Sequence, residues 1–325
     1  MNKTGQDFYG IYGDPLRGFV QYKRALGFDV GWRMIYGLLE MNRYLDSCSS
    51  GKVVLTKQMA DGYVQQKIHA STKSIHTCEC RLRQFGLYLR NQGYPDIYIY
   101  PEKHIRVTSD FVPYIFTKNE ISRIITVADG LLPAPNNPHC PIFYQMLLRL
   151  LYCTGLRINE ALGLKVEDVD FENMLLVVLN SKGNSSRLVP FNESLKEWLG
   201  KYHSETYREH DTYFFESPRG GKRNDRPVNN FFQKIILPGA GIKRKPDNTG
   251  PRIHDLRHTF ACHALDKMVR SGMDPYCALP YLSTYLGHKG IESTEKYLRL
   301  TEEHFKEITE AGHYIYDESV GDLNE

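Results

Sequence analysis

Between positions 157 and 297, six residues that can donate to anions, transfer protons or act as nucleophiles stand at the ends of predicted elements. Each begins or follows a predicted helix or strand, where loops deliver side chains into a site. His254 and Arg257 are three residues apart at a predicted helix start and therefore share a face. The full set, in chain order, is Arg157, Lys182, His254, Arg257, His288 and Tyr297.

Taken singly, these residues have ordinary structural explanations. Arg157 could form a surface ion pair with Glu160, three residues later, and Lys182 could be a polar turn residue. His254 could cap its helix. Tyr297 is one of 22 tyrosines, and a phenol with a pKa near 10 is a poor nucleophile without neighbouring cations. The ordered set therefore carries more information than any of its members.

Zinc is the competing chemistry for His254 and His258, which have helical i, i+4 spacing. The residues between them are DLR, without the glutamate of the zinc-peptidase pattern, and no acidic or thiol third ligand is evident. We therefore predict no metal and no cofactor. His258 and His263 are expected to pack or to hydrogen-bond locally on their helix.

Helical patterns supply the framework for the candidate residues. Four occur in the first hundred residues, and the proline-containing segment 94–113 has no helical period and predicts a linker. Thr117 and Glu120 have the spacing of a capping box. Pro141 begins a predicted helix that ends at Gly155.

After this helix, the spacing of apolar residues changes from a helical period to one typical of strands. Residues 174–179 and 187–191 predict a hairpin whose tip contains Gly183 and Asn184, and residues 212–215 are expected to add a third strand. Three further helical segments follow. The predicted fold class is mainly α with a small antiparallel β-sheet, that is, α+β.

The ordered set resembles the catalytic residues of the tyrosine recombinases, also called the phage integrase family. The matching segments are TGLRINEALGL, SKGNSSRLVP, HDLRHTFACHAL and LGHKGIESTEKYLRL. The resemblance extends from about residue 114 to residue 300, and the nine-residue step from His288 to Tyr297 is usual for the family. It implies a site-specific DNA recombinase or integrase.

The resemblance also implies how charge is handled in the reaction. Attack on a DNA phosphodiester places extra negative charge on the phosphate oxygens, and the guanidiniums of Arg157 and Arg257 would neutralise it. His254 and His288 would be further donors. Glu160 is expected to be a carboxylate that supports these groups without touching DNA.

The covalent chemistry is assigned to two residues by the same resemblance. Tyr297 would attack phosphorus, expel a 5′-hydroxyl and remain joined to the DNA as a 3′-phosphotyrosine. Lys182, at the hairpin tip, would protonate the leaving oxygen. Because the phosphotyrosine retains the energy of the broken bond, a second 5′-hydroxyl can reseal the DNA without ATP.

The domain organisation follows from the resemblance as well. Residues 1–110 would form a helical, SAM-like core DNA-binding domain, residues 111–300 the catalytic domain, and residues 301–325 an acidic tail that docks on a neighbouring protomer. Four protomers, free as monomers or dimers, would exchange strands on double-stranded DNA. Sequence-independent phosphate contacts are expected from Lys73, Arg81, Arg83, Arg90, Lys222, Arg223, Lys243, Arg244 and Lys245.

Charge is unevenly distributed along the 325 residues. The net charge of +3 divides into +5 for residues 1–110, +5 for residues 111–300 and −7 for residues 301–325. A basic body with an acidic tail is typical of proteins that bind polyanions.

The composition also limits the class of protein. No stretch approaches the roughly 18 to 20 apolar residues of a membrane span, and the N-terminus lacks a signal core. We therefore expect a cytoplasmic protein, and the family resemblance implies a bacterial one that associates with the nucleoid when it is bound to DNA. Seven cysteines without a CxxC pair predict reduced, mostly structural thiols.

One departure from the family pattern bears on the biological role. Arg257 and His288 are 31 residues apart, farther than in compact members, and the extra length lies near residues 266–281. This length favours a mobile-element recombinase. Three other interpretations stay open at this point: a type IB topoisomerase, a non-catalytic DNA-binding regulator and a zinc hydrolase.

Overall fold

The computed structural model describes most of the chain. The described residues are 8–28, 30–102, 112–135, 137–181, 185–206, 211–244, 250–288, 290, 294–295, 297–298 and 300, without the side chains of 180, 181 and 185. The chain divides into two compact units, residues 1–110 and 111–325.

The first unit is built from helices that bury one face each. Thr56 caps α3 by accepting from the Met59 N–H, and Ser71 caps α4 by accepting from the Ser74 N–H. Apolar residues of all four helices form one core, in which the Phe19 and Phe85 rings meet edge to face. The four helices are α1 (Gly13–Ala25), α2 (Trp32–Ser47), α3 (Lys57–Gln65) and α4 (Thr72–Asn91).

The second unit begins with three helices whose ends agree with the sequence signals. Thr117 and Glu120 form the predicted capping box at the start of α5 (Lys118–Asp129). Pro141 lies in the first turn of α6 (Cys140–Thr154). This helix ends at Gly155, whose φ of +60° is the left-handed conformation that glycine favours. The short helix α7 (Ile158–Ala161) follows at once.

A three-stranded antiparallel sheet follows, in the order β1-β2-β3. Its strands are β1 (Val169–Asp170), β2 (Leu175–Ser181) and β3 (Ser185–Pro190), with Leu176 opposite Val189. The hairpin prediction is confirmed, but the third strand is β1 and not residues 212–215. That segment makes an isolated bridge between Tyr213 and Lys165, and its two phenylalanines are both buried, which is unlike the alternation of a half-exposed strand.

The remaining helices enclose the core of the second unit. They are α8 (Glu193–Thr206), α9 (Asp225–Phe231), α10 (Leu237–Gly239), α11 (Asp255–Arg270) and α12 (Pro275–Leu286), with a π-helical turn at Phe232–Ile236 between α9 and α10. A second cluster of apolar residues joins α11, α12 and Tyr297. The predicted class, mainly α with a small antiparallel sheet, is confirmed.

Two further observations bear on the class of protein. All seven cysteines are free thiols. Within the described ranges, no helix combines the length and the hydropathy that crossing a bilayer requires.

The glycine at the end of α6 provides the first prediction. A Cβ added at Gly155 would overlap the Phe260 ring in a backbone conformation that L-residues avoid. Gly155→Ala is therefore expected to lower the free energy of unfolding by more than about 1 kcal/mol. Urea unfolding of the full chain measures the change.

The matched control is Gly200→Ala, inside α8. Apart from Gly200 itself, its chain neighbours and the backbone of its own helix, no described atom lies within 4 Å of the added methyl group, so stability should stay equal or rise by up to about 1 kcal/mol. Equal stability of both variants would contradict the strain assigned to Gly155.

Candidate active site

Arg257 is the most deeply buried cation of the site, with 2% of its surface exposed. It lies in the first turn of α11, and its guanidinium donates from Nη1 to the Gly155 carbonyl at 2.7 Å and from Nη2 to the Leu286 carbonyl at 2.8 Å. Burial, together with the charge of Arg157, lowers the pKa of Arg257 to about 10. The group therefore remains charged at neutral pH.

Glu160 is the buried carboxylate that holds the arginines together. It accepts from Arg157 Nη1 at 2.6 Å and from Arg187 Nη2 at 2.9 Å, and it lies 3.9 Å from Arg257 Nη1. Burial alone would raise its pKa, but hydrogen bonds from Arg187 and from Arg157 outweigh burial and lower the pKa to about 2. Glu160 is therefore an anion throughout the neutral range.

Arg157 differs from Arg257 in being accessible. It precedes α7, and 23% of its side chain is exposed. It lines a cleft of about 490 Å³ between α7 and β2, together with Glu160, His254 and Lys222. This cleft is where an anionic group can reach the guanidinium from solvent.

His288 is held between Arg257 and Thr294. Arg257 Nη2 lies 3.1 Å from His288 Nε2, and because a guanidinium only donates, Nε2 accepts. In the neutral ring Nδ1 then carries the proton and donates to Thr294 Oγ1, 2.8 Å away. The contact with Arg257 thus fixes the tautomer of His288.

Tyr297 is fully buried and hydrogen-bonded within the site. Its hydroxyl lies 3.0 Å from His258 Nδ1, and its ring stacks against His288 with 6.1 Å between ring centroids. Burial raises the pKa of Tyr297 to about 12, although Arg257 and Arg157 act in the opposite direction. In this state of the protein, the loss of solvation therefore exceeds the Coulomb attraction of the neighbouring cations.

The structure brings five of the six predicted catalytic residues together. His254 immediately precedes α11, lines the cleft beside Arg157, and meets the His258 ring edge to face at 5.0 Å between centroids. Lys182 lies outside the described residues.

Sequence reasoning missed the contributions of three residues to this cluster, namely Arg187, His258 and Thr294. Arg187 and Val189 are two residues apart on β3 and therefore lie on the same face of the strand, the face on which Val189 is buried. An arginine at such a position requires a carboxylate partner, which here is Glu160. His258 and His263 were expected to pack or to bond locally; His258 is buried and packs against the His254 ring one turn away, but the hydrogen bonds described for the two histidines are long-range. His258 pairs with Tyr297, and His263 lies 3.1 Å from Tyr152 on α6. No sequence signal marks Thr294.

The predicted DNA contacts occupy varied environments. Lys222 lies in the cleft and donates to the Asn159 carbonyl. Arg223 covers the Phe143 ring, and Arg83 donates to the Tyr100 carbonyl and to Glu102. A Cβ at Gly37 would overlap the Arg81 guanidinium. Lys73, Arg90 and Lys243 are exposed, Arg244 is half-buried, and Lys245 lies outside the described residues.

The zinc hypothesis finds no third ligand in the part of the chain that the structure describes. No group of three or more His, Cys, Asp or Glu residues there is placed to hold a metal ion. The hydrogen bond between His258 Nδ1 and Tyr297 gives this histidine a partner other than a metal ion.

Comparisons with known proteins agree with this arrangement. A family model described as the phage integrase family matches residues 115–304, which is more than half of the chain. The protein y4rB of Sinorhizobium fredii, provisionally named an integrase/recombinase, is 30% identical over 300 residues, or 89% of this chain and 93% of that protein. Tyrosine recombinase XerC of Oceanobacillus iheyensis is 29% identical over 250 residues, 75% of each chain.

Solved structures show the same fold. The XerH site-specific recombinase bound to palindromic difH substrate has a TM-score of 0.62 at 19% identity, over 84% of this chain and 77% of that one. The Tn1549 transposon integrase in complex with transposon right end DNA has a TM-score of 0.59 at 19% identity, over 87% and 94%. The chain belongs to the phage integrase family of tyrosine recombinases, enzymes that cleave and rejoin DNA.

The lowered pKa of Glu160 predicts a pH dependence of stability. The folded value, about 2, lies below the ordinary 4.5, so the carboxylate contributes stability above pH 4.5 that is lost as the pH falls toward 2. The shift corresponds to roughly 3 kcal/mol. Glu160→Gln should be less stable than the unmodified chain at pH 7 and should lose less stability on acidification.

Urea unfolding of the full chain between pH 3 and pH 7 measures this difference. Glu167→Gln is the control, because Glu167 is partly exposed and pairs with nearby Lys165 at 2.9 Å. The two variants should differ clearly in their acid dependence. Parallel curves would contradict the role assigned to Glu160.

Proposed function

We propose that this chain is a site-specific recombinase of a mobile DNA element, with Tyr297 as nucleophile and Arg157, His254, Arg257 and His288 as the groups that bind the reacting phosphate. The observation that carries the proposal is the gathering of these cations and imidazoles around one buried phenol, beside an accessible cleft. Glu160 supports the arginines from the protein side.

The geometry supports different roles for Arg157 and Arg257. Arg157 faces the cleft, where it can bind a phosphate from solvent, whereas Arg257 is already fixed by two carbonyls. As Tyr297 attacks phosphorus and the bond to the 5′-oxygen breaks, both guanidiniums face increasing negative charge. Lys182 is proposed as the acid that protonates the leaving oxygen.

Burial of Tyr297 implies a conformational step before chemistry. A nucleophile must come within roughly 3 to 3.5 Å of the atom it attacks, but the phenol has no exposed surface. Bound DNA must therefore open a path between the cleft and Tyr297. The resting protein is protected from unproductive attack in this way.

The wider assembly is proposed on the same basis. Two DNA-bound relatives of this fold, a Xer recombinase and a transposon integrase, support double-stranded DNA as the partner. We extend this to four protomers on DNA, to a core-binding domain in residues 1–110, a catalytic domain in residues 111–300 and an acidic tail in residues 301–325 that docks on a neighbour. Location in the bacterial cytoplasm, on nucleoid DNA, belongs to the same proposal.

Tyr297→Phe tests the nucleophile. The unmodified chain should form a covalent adduct with nicked duplexes taken from the DNA that flanks the reading frame, and the phenylalanine variant should form none, because it lacks the attacking oxygen. Denaturing gel electrophoresis detects the adduct. Tyr281→Phe, an exposed tyrosine on α12, is the control and should react normally. An adduct in Tyr297→Phe would overturn the assignment, and DNA binding without any adduct would favour a regulator.

Arg157→Ala tests how the charge is used. Cleavage should fall by at least about 100-fold, as for loss of one transition-state donor, whereas DNA affinity should change little, since the charge on the phosphate is greatest in the transition state. Single-turnover cleavage and gel-shift titration measure the two quantities. Proportionate losses of both would assign Arg157 to ground-state binding alone.

A further inference from the structure

The hydroxyl of Tyr297 has a partner that the mechanism above leaves unused. His258 Nδ1 lies 3.0 Å from Tyr297 Oη, and the two side chains are 5% and 0% exposed. His258 directly follows Arg257 on α11, so the helix that places the buried guanidinium also places this imidazole. The pair is enclosed by protein and lies inside the site.

Attack by Tyr297 requires an acceptor for its proton. With its pKa raised to about 12, the phenol is protonated at neutral pH, and Arg157 and Arg257 have no acceptor atom. The carboxylate of Glu160 already accepts from Arg157 and Arg187, and its pKa of about 2 makes it a weak base.

His288 is also poorly arranged to take this proton. Its Nε2 accepts from Arg257, and its Nδ1 lies against Thr294. A second proton on its ring would face the buried guanidinium of Arg257 and meet charge repulsion. His258 combines a basic nitrogen with a hydrogen bond to the reacting oxygen.

The charges around Tyr297 also orient its proton. The charge of Arg257 attracts the Tyr297 oxygen, and Arg257 has no atom that can accept the hydroxyl hydrogen. The hydrogen is therefore directed toward His258 Nδ1, 3.0 Å away. The proton of the neutral imidazole is then on Nε2, which assigns the tautomer from the hydrogen-bond partners.

We propose that His258 is the general base of the cleavage step. The Tyr297 oxygen forms a bond to phosphorus while its proton passes to His258 Nδ1, and the bond from phosphorus to the 5′-oxygen breaks as that oxygen takes a proton from its acid. On resealing, a 5′-hydroxyl gives its proton to the deprotonated acid as its oxygen bonds to phosphorus, and the phenol oxygen leaves phosphorus and recovers its proton from His258. This inference rests on the proposed function of Tyr297.

His258→Asn separates basicity from hydrogen bonding. The asparagine Oδ1 takes the position of Nδ1 and can still accept from the phenol, but an amide does not take up the proton. Cleavage of the flanking-DNA duplexes should fall by about 100-fold or more, with DNA affinity within about 2-fold. His258→Gln serves as the second variant if the first does not fold.

His263→Asn is the matched control. His263 lies on the same helix and uses the same Nδ1 atom, 3.1 Å from the hydroxyl of Tyr152. His263→Asn therefore makes the same change to a histidine–tyrosine pair that lies away from the cleft residues. Thermal unfolding shows whether the two variants have comparable structural effects, and His263→Asn should cleave at nearly the normal rate.

A duplex with sulfur in place of the leaving 5′-oxygen distinguishes the base from the acid. A thiolate leaves without protonation, so this substrate should restore cleavage by Lys182→Ala but not by His258→Asn. Normal cleavage by a folded His258→Asn, or its restoration by the sulfur substrate, would overturn the inference. If the unmodified chain forms no adduct with any flanking duplex, the proposed function itself fails, which is a different result.

Discussion

Glu160 is the buried anion that allows three arginines to occupy one site. Arg157, Arg187 and Arg257 all lie within 3.9 Å of its carboxylate, and in a low-dielectric interior their mutual repulsion would be large without it. Three guanidiniums against one carboxylate leave an excess of positive charge. That excess is the property that a phosphate-binding site requires, and the substrate phosphate would complete the neutralisation.

Carbonyl groups at two helix ends also stabilise the buried positive charge of Arg257. Its two carbonyl partners are Gly155, which ends α6, and Leu286, the last residue of α12. Carbonyl groups at helix C-termini lack partners within the helix and carry the negative end of the helix dipole. Gly155 and Gly287 both adopt left-handed conformations there. These two glycines thus turn the chain so that carbonyls point at Arg257.

Local signals predicted much of the fold because their causes lie within a few residues. The capping box at Thr117, the proline at the start of α6 and the glycine at its end each act within one helical turn. Residues 212–215 were mistaken for a strand because adjacent buried aromatics in an irregular segment have a strand-like composition. Composition does not show whether a segment has a neighbouring strand to hydrogen-bond with, and a segment forms a strand only when it has such a neighbour.

The sequence predicted which residues form the site, but it did not predict their hydrogen bonds or the pKa shift of Tyr297. The family pattern selected Arg157, His254, Arg257, His288 and Tyr297, which the structure gathers, but no local rule connects Tyr297 to His258 across 39 residues. The sign of the pKa shift of Tyr297 likewise depends on burial, which a sequence does not display. The balance between desolvation and nearby charge can be judged only once the neighbours are placed.

Arg187 shows how the missed contacts matter for the reaction as a whole. It lies on β3, donates from Nε to the Tyr285 carbonyl at 3.0 Å, and binds Glu160 with its other nitrogens. One side chain therefore links the hairpin strand, α12 and the carboxylate that holds Arg157. The strand β3 is thus connected through Arg187 to the groups proposed to bind the phosphate. Under the proposed mechanism, in which Lys182 from the same hairpin is the acid, a movement of β3 would link leaving-group protonation to the charge balance at Glu160.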